Sequence, residues 1–142
     1  MNGNDAQLTA VFTSRSAPSQ NVEDNTPNSN PIGVGAPTFE IVVEGVAGSS
    51  LATSTYKLSI VIYDEITGDL ATLAISPAPE TVFGKPAAWT VVGPNYYLEE
   101  VFTVTVDNAV AGHVLFARVA LISDNFQVVS TRQSNEFVLQ AK

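Results

Sequence analysis

A chain of 142 residues with one histidine and no cysteine offers few places for chemistry. His113 stands six positions after Asp107, across a turn, so these two could form two-thirds of a Ser-His-Asp arrangement. The serines of GVAGSS (45–50) are the nearest match to a nucleophile elbow, and they lack its second flanking glycine. A lone histidine at a strand entry is more often a structural hydrogen-bonder. Asp64, Glu65 and Asp69 surround one turn, and Glu99 and Glu100 open a strand. Paired carboxylates suit glycoside hydrolysis only when held roughly 5 to 10 Å apart across a cleft. A turn rich in acids can hold Ca²⁺, but no DxDxDG-type loop is present. The glycines of GVGAP run into Pro37 rather than a helix, so no phosphate cradle is indicated. Without cysteine there is no disulfide, thiolate metal site or cysteine nucleophile. The expectation is a chain with no catalytic residues, no cofactor and no metal.

Recognition has two better candidates. Trp89, Tyr96 and Tyr97 sit in a proline-rich connection, where planar rings can stack on a sugar or anchor a protein. The plainer role for Trp89 is to plug an open end of the fold. Neighbouring tyrosines on a strand point opposite ways, so only one of Tyr96 and Tyr97 can join the core. The second candidate is HVLFARVALIS (113–123), which is apolar on both parities. With Leu115, Ala117, Val119 and Leu121 facing the core, Val114, Phe116, Ala120 and Ile122 face outward around Arg118. That stripe needs a cover: the 15–37 loop, the 77–97 connection, a second copy of the chain, or a foreign partner. Two-fold pairing of the stripe with itself is the simplest oligomer. Arg118 would then need an acid from the partner, or from Glu99 or Glu100.

These residues must be positioned by strands. QLTAVFTS (7–14) alternates with Leu8, Ala10 and Phe12 on one face, and TFEIVVEGV (38–46) places Phe39, Ile41 and Val43 inward with Glu40 and Glu44 outward. Between them, 15–37 is rich in Ser, Asn, Pro and Gly and reads as a long loop without core residues that tolerates shortening. Residues 56–76 read as a hairpin: Leu58, Ile60 and Ile62 share a face before the turn at Gly68, and Ala71, Leu73 and Ile75 share one after it. Prolines make 77–97 an edge or a wrapping connection. LEEVFTVTVD (98–107) resumes alternation, and the last strand (126–140) breaks at Gln133 to Asn135, where a bulge is expected.

Seven or eight strands with turn signals about every 8 to 12 residues predict one domain over 1–142, an all-β antiparallel sandwich. From Gly112 to Phe137, the order of turn, glycine, long apolar strand, tight turn and final strand resembles the end of immunoglobulin-like domains, which implies an immunoglobulin-like sandwich. The Cys…Trp…Cys arrangement of that group is absent, and His113 stands where its corner tyrosine would be.

Composition narrows the function. Hydrophobic residues make up 45% and charged residues 14%, which suits a covered core and not a disordered chain. Fourteen acids against six scattered bases give a net charge of −8, unsuited to binding a phosphate backbone, so nucleic acid is excluded. No run of about 18 apolar residues could span a membrane. The opening MNGNDAQLTAVF lacks the basic start and apolar centre of a signal peptide. The expectation is a non-enzymatic binding or assembly module acting through a protein interface or self-association, in a microbial surface, secreted or virion-associated setting. The interface would use Val114, Phe116, Arg118, Ala120 and Ile122. The alternatives are a carbohydrate-binding module using Trp89, Tyr96 and Tyr97, or a small hydrolase or inhibitor.

Overall fold

The alternating segments assemble into two antiparallel sheets packed face to face, seen in a computed structural model that describes residues 6–16, 22–49, 56–78, 82–83, 90–93, 95–123 and 128–142. The strands are β1 (Ala6–Arg15), β2 (Thr38–Ala47), β3 (Tyr56–Asp64), β4 (Leu70–Ala71), β5 (Ile75–Ser76), β6 (Val82–Phe83), β7 (Thr90–Val92), β8 (Asn95–Thr105), β9 (Val114–Ser123), β10 (Val128–Gln133) and β11 (Phe137–Val138). Sheet one runs β1-β2-β8-β5, with β7 also on β8. Sheet two runs β10-β9-β3-β4, with β11 also on β9 and β6 on β3. The fold is an all-β sandwich.

The core lies where the inward parities meet. Phe39, Ile41, Val43, Phe102 and Val104 of sheet one oppose Leu58, Ile62, Leu115, Ala117, Val119 and Leu121 of sheet two, all of them buried. Burying each large side chain contributes about 1.5–3 kcal/mol, so this layer supplies most of the driving force. Leu115 to Leu121 face the core on the expected parity. Phe137 of β11 reaches across to Phe39, ring centroids 5.3 Å apart.

Three expectations need correction. In β1 the register to β2 shifts between Leu8 and Ala10, leaving Thr9 as an extra residue. A one-residue slip moves every following side chain to the other face. Leu8 and Val11 are therefore buried, while Phe12 is only half-buried on the outside. The arm after Gly68 does not stay in one hairpin. Leu70 and Ala71 pair with β3, then the chain crosses, and Ile75 and Ser76 pair with β8 in the other sheet. Ala71, Leu73 and Ile75 all pack on the core through the crossing, because both sheets share one interior. Third, β2 is buried on both faces over part of its length, with outward Glu40 8% and Val42 0% exposed.

The two flanks of the sandwich differ. On one, β1 meets β10 and β11, running in the same direction. The N–H of Leu8 donates to Ser130 Oγ at 3.0 Å, and the N–H of Thr13 donates to Asn135 Oδ1 at 3.0 Å. Below this, residues 24–25 insert: the N–H of Asp24 donates to the Thr13 carbonyl, and that of Val138 to the Asn25 carbonyl. Asn28, 1% exposed, donates to the carbonyls of Ala36 and Gln140 and accepts from the N–H of Gln140. The described part of the 15–37 segment is therefore docked structure, contrary to its loop-like composition. Gly35 fits only because it lacks a side chain: a Cβ there would lie 2.6 Å from the Gln140 carbonyl oxygen.

On the other flank, β7 and β5 cover only the two ends of β8, and β6 and β4 only the two ends of β3. Residues 98–102 and 58–61 have no strand beside them there among the described residues. The expected break in the last strand is present between β10 and β11. Ser134 fills it: its Oγ accepts from the N–H of Ala117, and its own N–H donates to the Ala117 carbonyl.

Candidate functional site

Alternation in β3 and β9 builds the outer face of sheet two. Register pairs place Lys57 beside Ile122, Ser59 beside Ala120, Val61 beside Arg118 and Tyr63 beside Phe116. Further out, Leu70 flanks Tyr63 and Val128 flanks Ile122, each 59% exposed. Val138 flanks Val114. The five residues expected at an interface thus share one face: Val114, Phe116, Ala120 and Ile122 are half-buried, and Arg118 is exposed.

At its centre the rings of Tyr63 and Phe116 stack, centroids 5.1 Å apart and 15° from parallel. The Arg118 guanidinium carbon lies 5.7 Å from the Tyr63 ring centroid, within range of a cation–π attraction. Arg118 forms no ion pair among the described residues. The acids first considered for it lie elsewhere. Glu99 and Glu100 belong to β8 in the opposite sheet, Glu99 exposed on its outside and Glu100 on the core-facing parity, where burial raises its pKa. Acids do approach the lower rim, where the Glu65 and Glu136 carboxyls lie close enough to interact. Burial first, then this contact and its like charge, raise the Glu65 pKa.

Of the covers considered, residues 22–37 bond to β1 and the 138–141 segment rather than lying over this face. In the 77–97 connection, β6 pairs with β3 and β7 with β8, and residues 79–81 and 84–89 lie outside the described residues.

The histidine has a partner, and it is not Asp107. The Asp107 carboxylate accepts the N–H of Ala109 and caps a 3₁₀ turn at Asn108–Val110. His113 Nδ1 lies 2.6 Å from Oδ2 of Asp64, a side chain only 3% exposed. The other Asp64 oxygen accepts the N–H groups of Ile66 and Thr67. The His113 bond, then the two N–H bonds against the opposing effect of burial, hold the Asp64 carboxyl below its ordinary range. Both oxygens of Asp64 are engaged in holding the β3 turn to the start of β9, a positioning task. Among the described residues no three His, Asp or Glu side chains are grouped to hold a metal ion, and no helix is long and apolar enough to cross a membrane.

The aromatic trio divides. Tyr96 packs against the core and Tyr97 is 44% exposed on the outside of sheet one, as neighbours on a strand must; Trp89 lies outside the described residues. Beside Tyr97 a groove of about 300 Å³ is lined by Thr9, Glu44, Gly45, Tyr97, Leu98 and Glu99. Sequence reasoning missed Tyr63, Val61 and Leu70, although the outward parity of YKLSIVIY already carried Val61 and Tyr63. No protein-family model, curated protein or solved structure matches the chain.

Proposed function

We propose that the chain is a non-enzymatic binding and assembly module that takes a protein partner on the outer face of sheet two. The observation that carries this reading is the stacked Tyr63–Phe116 pair, half open to water and overlaid by Arg118, an arginine without an ion pair among the described residues. Tyrosine and arginine dominate the energetics of protein interfaces, because each buries large area and still offers directed polar contacts. Val61, Leu70 and Ile122 extend the patch with apolar area that water solvates poorly. The strand order β1-β2-β8-β5 against β10-β9-β3 supports an immunoglobulin-like reading, since it parallels the A-B-E-D and G-F-C sheets of that fold. An acidic, cysteine-free surface fits a microbial surface, secreted or virion-associated setting.

The test is sedimentation velocity on the wild type and on Phe116→Glu, with circular dichroism to check the fold. The wild type should sediment above the 15.0 kDa of one chain, and Phe116→Glu as a single folded chain. An assembly left unchanged by both Phe116→Glu and Arg118→Glu would overturn the reading.

A further inference from the structure

The two outer faces of the sandwich carry opposite charge. On sheet two the middle and upper rows hold Lys57 and Arg118 and, among the described residues, no acid. On sheet one the outward positions of β2 and β8 hold Glu44 and Glu99 at the surface and Glu40 buried, and those of β1, β2 and β8 hold no lysine or arginine. Glu44 and Glu99 are register partners, side by side across the β2–β8 ladder. The groove beside them has a local cause. The extra residue Thr9 bends β1 away, the backbone at Gly45 and Leu98 forms the floor, and exposed Tyr97 forms a wall.

We infer that the partner is a second copy of this chain, docked front to back, with Arg118 of one copy entering the Glu44–Glu99 groove of the next. This rests on the reading of the sheet-two face proposed above. A planar guanidinium suits two neighbouring carboxylates, since its fork of N–H donors can serve both. Tyr63 and Phe116 then meet Tyr97 and Val46 rather than water. Two-fold pairing of the sheet-two face with itself is electrostatically worse. Arg118 is at the middle of β9, so an axis through the face sets two cations against each other. A front-to-back contact joins unlike faces and leaves one of each free at the ends, so it propagates into an open chain or a ring.

The experiment mixes two variants, each with one face disabled. Arg118→Gln removes the cation and the double variant Glu44→Gln, Glu99→Gln neutralises the groove, so no new charge pair arises between the variants; circular dichroism checks each fold. Wild type should show masses beyond a dimer that rise with concentration and fall with salt. Each variant alone should lose association, and an equimolar mixture should form a 1:1 dimer that grows no further, because each variant retains the face the other lacks. A wild type that stays monomeric at high concentration would overturn the inference. Self-association of the groove variant into a dimer would also overturn it, and would leave the sheet-two face standing as the interface. Self-association indifferent to Arg118 would overturn the inference, and self-association indifferent to both Arg118 and Phe116→Glu would remove the reading of the sheet-two face as well.

Discussion

One flank of the sandwich is riveted and the other is open. Where β1 meets β10 and β11, two strand N–H groups that would face water are taken by Ser130 and Asn135. Asn135 also donates to Thr13 Oγ1 and Asn25 Oδ1. On the opposite flank β8 and β3 carry short strands only at their ends. Asn95 Oδ1 is buried there with no hydrogen-bond partner, as are the Oγ atoms of Ser14 in β1 and Ser16 just beyond it, and Glu100 lacks an ion pair among the described residues. A strand edge is a liability for aggregation. This chain answers it on one side with side-chain amides and hydroxyls instead of another ladder, and that solution depends on a handful of residues.

The largest expected effect therefore comes from the riveted flank. Asn28→Ala strands the Gln140 N–H and two carbonyls in a buried site and should cost on the order of 3 kcal/mol, read from urea denaturation. An unchanged midpoint would mean that the flank is not closed by this side chain. Asn135→Ala should cost about 2 kcal/mol by the same measurement. Its counterpart on the open flank, Asn95→Ala, should be nearly neutral, because its carbonyl oxygen has no bond to lose. Equal losses at the two asparagines would erase the distinction between the flanks.

The carboxyls titrate in opposite senses. At the seam, burial works against the Asp24 carboxylate, but the Thr26 N–H and Arg15 outweigh it and lower its pKa. Asp64, at the β3 turn, is lowered as well. Carboxyls lowered in the fold contribute stability above their unfolded pKa, near 4, and lose it as the pH falls through the folded value. Glu100 and Glu65 are raised, so their ionisation weakens the fold as the pH climbs past about 4.5. The thermal midpoint should rise by a few degrees from pH 7 to about pH 5 and drop below about pH 4. Asp24→Asn should flatten the acid limb and Glu65→Gln the upper one. The smallest effect belongs to Glu100→Gln, a gain of a few tenths of a kcal/mol at pH 7, because solvent screens this half-exposed group. A loss at pH 7 would show that the carboxylate is serving a partner.

The sequence made the core legible and left the seam hidden. Leu115 to Leu121, the β2 alternation, the turn at Gly68 and the break near Ser134 follow from local periodicity and turn chemistry, which neighbouring residues determine. Phe12 was misplaced because one bulged residue, Thr9, inverts a strand without changing its composition. The segment after Ala71 alternates in the same way whether it stays in one sheet or changes to the other, so pattern alone could not place the crossing. Asn28 is one asparagine among several in a polar run, and its partners lie at Ala36 and Gln140. His113 was matched with the near acid Asp107, whereas its partner Asp64 lies on a distant strand. For the candidate site, the stripe around Arg118 was readable from β9. Its aromatic centre needed the β3 register, which no single segment encodes.

The direction of β1 beside β10 and β11 has a mechanical consequence. Residue 6 pairs with Ala47 at one end of the sandwich, while Leu139 and Ala141 bond to Gly112 and Gly35 at the other. Tension applied between residues 6 and 142 therefore runs along β1 and its neighbours. Antiparallel ladder bonds lie perpendicular to the strands, so such a pull loads the β1–β2 bonds together, in shear, and strains the Leu8–Ser130 and Thr13–Asn135 links at the same moment. Peeling β1 outward from one end would break them one by one. A string of such units drawn taut would bear load as a tether does.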